Sequence, residues 1–302
     1  MGFSNLILIF KLKDDFNNKR YDFIFYLTLL SFLFINIFFY RIAEHGTDRS
    51  AQILIFILFI EVFGLYRRSN VVEQNFTKIF ILLGLIVSLK AFYVLYLLIL
   101  VPIFFHFLKK KLFFNFFKNF YFYIFCFVGV FLILSNIFNS GCIIYPVSIS
   151  CFSNFEWSTF SDAKASNDWF ELWAKAGAGP NHRVDNPEDY IKGFNWVSNW
   201  IDMYFFNKVS DFMLGLLFLL IIVYFSFHSK NKNNINIKKQ NFYIYLVIII
   251  LFFEWFYNHP SLRYGGFSLL ALIVFIPFAI YISKFVLIKF FKEKIIFLIV
   301  LS

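Results

Sequence analysis

Charged residues are scarce in this sequence: they make up 15% of its 302 residues, whereas 60% are hydrophobic. A soluble domain of this length needs far more polar surface to cover its core, so an ordinary soluble protein is excluded. The Lys and Arg residues leave a net charge of +10, but they are spread over short loops between apolar runs. Such a distribution orients spans in a bilayer, and we therefore expect a membrane protein with no DNA or RNA partner.

Cysteine is scarce as well, with three residues in the chain. Cys142 and Cys151 lie in one polar segment, at a spacing that suits a small hairpin. Two cysteines alone form an incomplete zinc site, whereas an oxidising compartment favours a disulfide between them, which we predict. Cys126 falls within an apolar run, and we interpret it as an inert core residue.

Long apolar runs predict an all-α fold, built as a polytopic bundle of transmembrane helices. A helix needs roughly 17 to 25 apolar residues to cross a bilayer. Segments rich in Lys and Arg precede the first run, follow the second and follow the longest, which favours a cytoplasmic position for all three and for the N-terminus. The candidate spans are 21–40, 51–66, 119–138, 208–228, 241–257 and 267–288, together with a longer apolar block at 79–108.

The block at 79–108 must cross the membrane an even number of times if both of its ends are cytoplasmic. It is too short for two full-length straight spans, so we expect two short helices that meet at Lys90, the only charge in the block. One long tilted span with a buried lysine is the alternative. With two short helices the chain crosses the membrane about seven to eight times.

The chain divides into N-terminal transmembrane helices (1–138), a long loop (139–207) and C-terminal transmembrane helices (208–302). The long loop holds eight acids against four Lys or Arg. Because positive charge is depleted on the translocated side of a membrane, we place the long loop in the periplasm as an extracytoplasmic domain. Apolar stubs at both ends of the sequence, such as the final IIFLIVLS, suggest a piece of a longer protein.

Tryptophan is concentrated in the long loop, which holds five of the six. Two pairs, Trp169 with Trp173 and Trp196 with Trp200, have the spacing of neighbours on one face of a helix. The letters NPED at 186–189 predict the start of a second helix that runs through Trp200. These rings form either an aromatic belt at headgroup depth or, at Trp169 and Trp173, faces that contact a sugar or lipid substrate.

The loop between the first two spans carries Glu44, His45, Asp48 and Arg49 within six residues. A carboxylate here can act as a general base on an acceptor hydroxyl or hold a divalent cation against a phosphate, and His45 can share either role. A divalent cation is therefore a candidate cofactor, although no metal site is defined. The alternative is a solvated turn in which Asp48 caps the following helix.

The last predicted outer loop, NHPSLRYGG, contains His259 and Arg263. The planar guanidinium of Arg263 suits a pair of phosphate oxygens, and Lys90 can bind a lipid phosphate as a point charge. The alternatives are a snorkelling arginine and a lysine that only marks a water-exposed turn. Glu61 and Glu254 lie inside spans and are expected to face the bundle interior.

The segments YRIAEHGTDRSAQIL, SGCIIYPVSISCF and HPSLRYGG, on a frame of uneven and broken spans, are similar to those of polytopic bacterial membrane proteins whose architecture resembles the GT-C glycosyltransferases. This resemblance implies a polyprenyl-phosphate-linked sugar as donor, an outer-loop acid as base or metal ligand, and basic residues that bind the lipid phosphate. By position it implies Asp48 or Glu44 as the acid. It implies Arg263 and Lys90, with Arg49 and His259 nearby, as the phosphate binders.

The function expected from these features is transfer of a sugar from a polyprenyl-phosphate donor to a cell-envelope acceptor at the periplasmic face, by a membrane glycosyltransferase or part of one. The expected partners are that donor and membrane lipid, and the oligomeric state is open. A transporter or flippase of lipid-linked glycans and a non-catalytic membrane subunit stay open as alternatives. If the enzyme hypothesis holds, Asp48, Lys90 and Arg263 must converge on one cavity.

Overall fold

The structure, a computed structural model, describes residues 2–39, 47–67, 72–109, 120–179, 184–228 and 239–285. These residues are mostly helical, and within them the one extended pairing is an isolated bridge between Cys142 and Cys151. The predicted all-α class is confirmed for this part of the chain.

The helices are α1 (Gly2–Asn17), α2 (Phe23–Phe38), α3 (Thr47–Arg67), α4 (Val72–Leu89), α5 (Leu100–Lys109), α6 (Phe120–Ser140), α7 (Phe160–Lys175), α8 (Pro187–Ile191), α9 (Val197–Phe227), α10 (Lys239–Asn258) and α11 (Gly266–Ile282). A 3₁₀ segment, Ala91–Ile99, joins α4 to α5, and the stretch Ile201–Val209 of α9 has π-helical hydrogen bonding. Four of the described helices, α3, α6, α9 and α10, are long and apolar enough to cross a membrane. The chain is therefore a membrane protein of helical type.

Helix α3 occupies the centre of the bundle. Of the 18-residue apolar stretch that could cross a membrane, 83% of the residues are buried inside the protein. Glu61 faces inward, as expected of an acid within a span, and its Oε1 accepts a hydrogen bond of 2.7 Å from Lys11 Nζ. Lys11 belongs to α1, whose Leu8 and Leu12 are buried in the same core. The short N-terminal stub thus forms a helix that neutralises a buried acid of α3.

Helix α6 lies at the edge of the bundle, with none of its apolar stretch buried. Its neighbour is α4, where Phe80 packs against Phe125 at 4.7 Å between ring centroids. Cys126 is exposed on this helix. The interpretation of Cys126 as a core residue was therefore wrong, because an apolar run records membrane insertion and not burial within protein.

The chain breaks at Lys90, as two short helices require. Lys90 contacts Asp48 in the first turn of α3, and Tyr96 packs against Phe59 further along α3, at 6.3 Å between ring centroids. The 3₁₀ segment therefore runs in the direction of α3, whereas α4 starts just after α3 ends and runs back to Lys90. The chain reverses at Lys90, and the alternative of one continuous tilted span is excluded.

This hairpin is long enough to cross the membrane twice for two reasons. Helix α4 begins before the apolar block, and the 3₁₀ segment rises more per residue than an α-helix does. Helix α4 begins at Val72, well before the apolar block, and is about 27 Å long. The 3₁₀ segment rises about 2.0 Å per residue, so with α5 it covers about 33 Å. Both arms therefore approach the hydrocarbon thickness of about 30 Å.

The long loop contains α7 and α8 and a turn closed by a disulfide between Cys142 and Cys151. Asn186 and Pro187 do begin a helix, but α8 ends at Ile191, so the predicted helix through Trp200 is interrupted. Gly193, at φ +57°, adopts a left-handed conformation in the intervening turn. Trp200 belongs instead to the first turn of α9.

Trp196 and Trp200 are buried, with exposed fractions of 0% and 4%. Both rings pack against Phe256 of α10, at 5.3 and 5.5 Å. The aromatic-belt interpretation is therefore wrong for this pair, because their rings contact protein and not the headgroup layer.

Lys175, the last residue of α7, links the long loop to the bundle through a contact with Tyr257 of α10. Its side chain is 1% exposed. Its ammonium group donates to Glu171 Oε1 at 2.5 Å and to the carbonyl of Ile191 at 3.0 Å. The same group lies 5.5 Å from the ring of Trp196 and 5.2 Å from that of Tyr257, so a buried cation is both paired and enclosed by aromatic faces.

Candidate functional site

Three charged side chains from separate parts of the sequence meet at one end of the bundle. Asp48 lies in the first turn of α3, Lys90 at the break after α4, and Arg263 in a short 3₁₀ turn, Leu262–Tyr264, between α10 and α11. Arg263 Nε donates to Asp48 Oδ2 at 2.6 Å, and Lys90 Nζ donates to Asp48 Oδ1. We call this group the Asp48 triad. The three side chains are therefore brought together, but of the three only Arg263 lines the neighbouring cleft, so convergence on one cavity is shown for Arg263 alone.

The charge balance of the triad favours an anion. The Asp48 side chain is 3% exposed, and a buried carboxylate is stable only if it is paired. Here each oxygen has its own cation, and the N-terminus of α3 adds a favourable dipole. One carboxylate with two cations leaves an excess of one positive charge. Because Arg263 uses only Nε on Asp48, its two terminal nitrogens have no hydrogen-bond partner among the described residues.

The backbone that carries Arg263 is held by side chains of α3 and α9. Gln52, fully buried and one turn beyond Asp48 on α3, donates to the carbonyl of Arg263 at 2.9 Å and accepts from the amide of Ser268 at 3.1 Å. Tyr204 of α9 accepts from the Leu262 amide at 2.8 Å. Such fixed partners hold a side chain at a constant position before any ligand binds.

Two further indole groups hold the same turn. Trp200 Nε1 donates to the carbonyl of Pro260 at 2.8 Å, and Trp255 Nε1 donates to the carbonyl of Ser261 at 2.9 Å. Gly265 has a left-handed φ of +105°, and a Cβ at Gly266 would lie 2.4 Å from the Trp255 ring. The paired glycines of this turn are thus required by backbone conformation and by close packing.

A cleft of about 380 Å³ opens beside the triad. Trp173 forms an aromatic part of its wall, with the Arg263 guanidinium 6.0 Å from the ring centroid. The charged side chains of the cleft are the cations Lys208 and Arg263 and the carboxylate Asp211. Asp211 has no ion-pair partner among the described residues. Its lining consists of Trp173, Ala178, Tyr204, Asn207, Lys208, Asp211, Phe212, Leu262, Arg263 and Phe267.

Tyr264 connects the triad to the long loop. Its ring lies 5.4 Å from Trp173 and 5.9 Å from Phe170, and the Lys90 ammonium lies 5.5 Å from it. Burial raises the pKa of the Tyr264 phenol to about 12, against a smaller lowering by the Arg263 guanidinium. The phenol is therefore neutral at physiological pH, and α7 of the long loop packs directly against the charged end of the bundle.

The remaining predicted site residues are placed differently. His259 packs against Phe92 at 4.7 Å, and burial lowers the pKa of its imidazole to about 4, with a further lowering by Lys175. It is neutral at physiological pH and adds no positive charge for a phosphate. Arg49 lies over the Phe39 ring at 5.8 Å. Glu44 and His45 lie outside the described residues.

The aromatic pair predicted to face a substrate is only partly exposed. Trp169 and Trp173 stack at 6.2 Å on one face of α7, with an interplanar angle of 16°. Trp173 lines the cleft, whereas Trp169 is 49% exposed along the same helix.

Sequence reasoning missed Gln52, Lys208 and Asp211. Gln52 lies four positions after Asp48 inside an apolar span, where a polar side chain signals an interaction with a neighbouring helix. Lys208 and Asp211 lie at the predicted start of a span, where charges are ordinarily topology markers. Asp48 is not the N-cap of α3, because the helix begins at Thr47 and Asp48 lies within its first turn, where its carboxylate is bound to Lys90 and Arg263.

A divalent cation has no defined ligand set in the part of the chain that the structure describes, where no three His, Cys, Asp or Glu side chains gather. Asp48 could bind a metal only by giving up its contacts with Lys90 and Arg263.

The fold and the site together define a helical membrane protein whose long loop covers a charged cleft at one end of the bundle. The chain belongs to the family described as "Domain of unknown function (DUF8201)", whose family model matches residues 1–270. No curated protein matches the chain, and no solved structure does.

Proposed function

We propose that this protein is a membrane glycosyltransferase, or part of one, which takes a sugar from a polyprenyl-phosphate donor and transfers it to a cell-envelope acceptor at the periplasmic face of the bacterial inner membrane. One observation carries the proposal. Arg263 is held at its Nε by a buried carboxylate, its terminal nitrogens have no hydrogen-bond partner among the described residues, and Arg263 lines a cleft that also contains Lys208. Such a fork suits two phosphate oxygens.

The cleft has a chemistry suited to an amphiphilic donor. Arg263 and Lys208 bind the phosphate, and the apolar lining from Leu262, Phe212 and Phe267 accommodates the adjoining end of the lipid. Trp173 offers a flat face to the sugar ring.

The transfer step assigns different roles to the two carboxylates. An acceptor hydroxyl oxygen attacks the anomeric carbon, the bond from that carbon to the phosphate oxygen breaks, and the electron pair leaves with polyprenyl phosphate. Asp211 takes the hydroxyl proton. Arg263 and Lys208 stabilise the charge that grows on the departing phosphate. Asp48, with both oxygens occupied by cations, acts as a positioning residue for Arg263 and Lys90.

Binding of the donor phosphate is the first test. Purified protein in nanodiscs is titrated with a polyprenyl phosphate and with the corresponding polyprenol. We expect Arg263→Ala and Lys208→Ala each to weaken binding of the phosphate by about 10-fold or more and to leave polyprenol binding unchanged. Lys164→Ala removes an exposed cation of α7 that does not line the cleft and is the matched control.

Transfer is tested separately in cells that depend on this protein. Asp211→Asn must retain binding of the polyprenyl phosphate and lose envelope glycan, because it removes the base and not the cations. Equal binding of polyprenol and polyprenyl phosphate contradicts the phosphate site. Normal glycan with Asp211→Asn contradicts the assignment of the base, and normal glycan with Arg263→Ala as well contradicts the enzyme hypothesis.

A further inference from the structure

A second pocket, of about 340 Å³, lies where α6 ends against the long loop. The residues that line it are Asn136, Asn139, Ser140, Tyr145, Thr159 and Asp162. They supply amide, hydroxyl, phenol and carboxylate groups and no cation. The pocket therefore differs in chemistry from the cleft, and a phosphate finds no positive charge in its lining.

The donor groups of this pocket are largely occupied by the protein itself. Asn136 Nδ2 donates to the carbonyl of Ile143 at 3.1 Å, and Asn139 Nδ2 donates to Ser135 Oγ at 3.2 Å. The hydroxyl groups of Ser140 and Thr159 donate to backbone carbonyls at 2.8 and 3.2 Å. Their oxygen atoms remain as acceptors.

Asp162 adds a carboxylate that has no hydrogen-bond or ion-pair partner among the described residues. Together these oxygen acceptors suit a ligand that carries several hydroxyl donors. Tyr145 is 38% exposed and lines the pocket. Its aromatic ring can pack against the C–H face of a sugar ring, whereas a metal ion would gain nothing from it. The chemical class that fits is a neutral sugar.

Helix α7 joins this pocket to the cleft. Asp162 lines the pocket and Trp173 lines the cleft, and the separation of 11 residues along the helix places them about 16 Å apart. Eleven residues are close to three helical turns, so both side chains lie on the same face, and Trp169 lies on that face between them. The indoles of Trp169 and Trp173 are nearly parallel, with ring centroids 6.2 Å apart, so aromatic groups line this face of α7 as it approaches the cleft.

We propose that this face of α7 binds a neutral oligosaccharide. One sugar unit occupies the pocket between Asp162 and Tyr145, and the following units lie over Trp169 in the direction of the cleft. The binding itself is independent of any reaction. The further statement that this oligosaccharide is the acceptor, with its end presented at the cleft, rests on the proposed glycosyltransferase function.

The pocket is tested with methyl glycosides of neutral hexoses and N-acetylhexosamines, by saturation-transfer NMR on the protein in nanodiscs. We expect at least one glycoside to bind to the wild type and Asp162→Asn to weaken it by about 10-fold. Asp168→Asn, an exposed acid of the same helix outside the pocket, is the matched control and must leave binding unchanged. Tyr145→Ser provides a second variant that leaves α7 intact, and it must also weaken binding.

Three results overturn the pocket proposal: no glycoside binds, Asp162→Asn and Asp168→Asn behave alike, or only a metal ion such as Ca²⁺ binds in a manner that depends on Asp162. The aromatic part is tested by chain length. In the wild type, affinity must rise from a monosaccharide to a tetrasaccharide of the same sugar. Trp169→Ala must abolish that rise while it leaves the monosaccharide affinity unchanged, and a rise that survives excludes the aromatic face.

The outcomes separate this inference from the proposed function. Sugar binding that depends on Asp162, together with no preference for polyprenyl phosphate at Arg263, supports the oligosaccharide site and contradicts the donor site. The reverse pattern contradicts the oligosaccharide site alone.

Discussion

Helices α3 and α6 have similar lengths and mean hydropathies of 1.7 and 2.0, yet they occupy opposite positions in the fold. In the apolar stretch of α3, 83% of the residues are buried inside the protein, whereas in that of α6 none are. The sequence of α3 contains Asp48, Gln52 and Glu61, each bound to another segment, whereas α6 has no charged residue. Hydropathy thus determines that a helix can enter the membrane, and specific polar contacts determine which helix lies at the centre.

The largest expected effect is at the triad. Asp48→Asn leaves Lys90 and Arg263 without their counter-charge, and the amide nitrogen would face one of the two cations. We expect the free energy of unfolding to fall by about 3–5 kcal/mol, as for a broken buried ion pair. Unfolding in detergent titrated with SDS measures this, with Asp168→Asn as the exposed control. Equal free energies of unfolding for Asp48→Asn and Asp168→Asn would show that the ion pairs of Asp48 do not stabilise the fold.

A pH dependence of similar size is expected from His259, whose imidazole packs against Phe92 near the triad. Burial lowers the pKa of His259 from its ordinary value of 6.5 to about 4, so between these two values the unfolded chain binds a proton that the folded chain does not. Its contribution is complete above pH 6.5 and is lost as the pH falls towards 4, by about 3 kcal/mol. The measurement is stability against pH for wild type and His259→Gln. Parallel curves for the two proteins would exclude this origin.

A smaller loss is expected for Gln52→Leu. Leucine has a similar volume, but the carbonyl of Arg263 and the amide of Ser268 lose their partners, which costs about 1–3 kcal/mol. Because Arg263 then moves, binding of a polyprenyl phosphate should weaken as well. Leu54→Met, a partly buried apolar change nearby on α3, is the control. Unchanged binding of a polyprenyl phosphate by Gln52→Leu would show that the Asp48 triad positions Arg263 without the hydrogen bonds of Gln52.

The smallest effect is expected on α6. Phe131 is 63% exposed, so Phe131→Leu should change the free energy of unfolding by less than about 0.5 kcal/mol. A loss as large as that of Gln52→Leu would mean that another protein surface covers α6, and the contrast with α3 would then fail.

Much of the architecture follows from apolar runs and the distribution of Lys and Arg. The reversal at Lys90 was predictable because an even number of crossings was needed in a short block. The interruption at Gly193 was not, since NPED and the two tryptophans fit an uninterrupted helix equally well. Burial of Trp196 and Trp200 was also hidden, because the same residues suit a membrane interface and a protein core.

The candidate site was partly predictable for a similar reason. Asp48, Lys90 and Arg263 stood out as charges beside apolar runs, and topology alone placed them at one end of the bundle. Their pairing was not predictable, because a single sequence does not say which acid meets which base. Lys208 and Asp211 resembled ordinary span-flanking charges, and their role depends on how α9 packs against the turn at Arg263.

Arg263 is attached to α3 at two points, its guanidinium to Asp48 and its carbonyl to Gln52, one helical turn apart. Those two attachments make the cation a rigid extension of a helix that reaches through the bundle to the Glu61 pair. A displacement of α3 along its axis would carry the cation with it, while movement of α6 would not. The position of Arg263 in the cleft therefore depends on the position of α3.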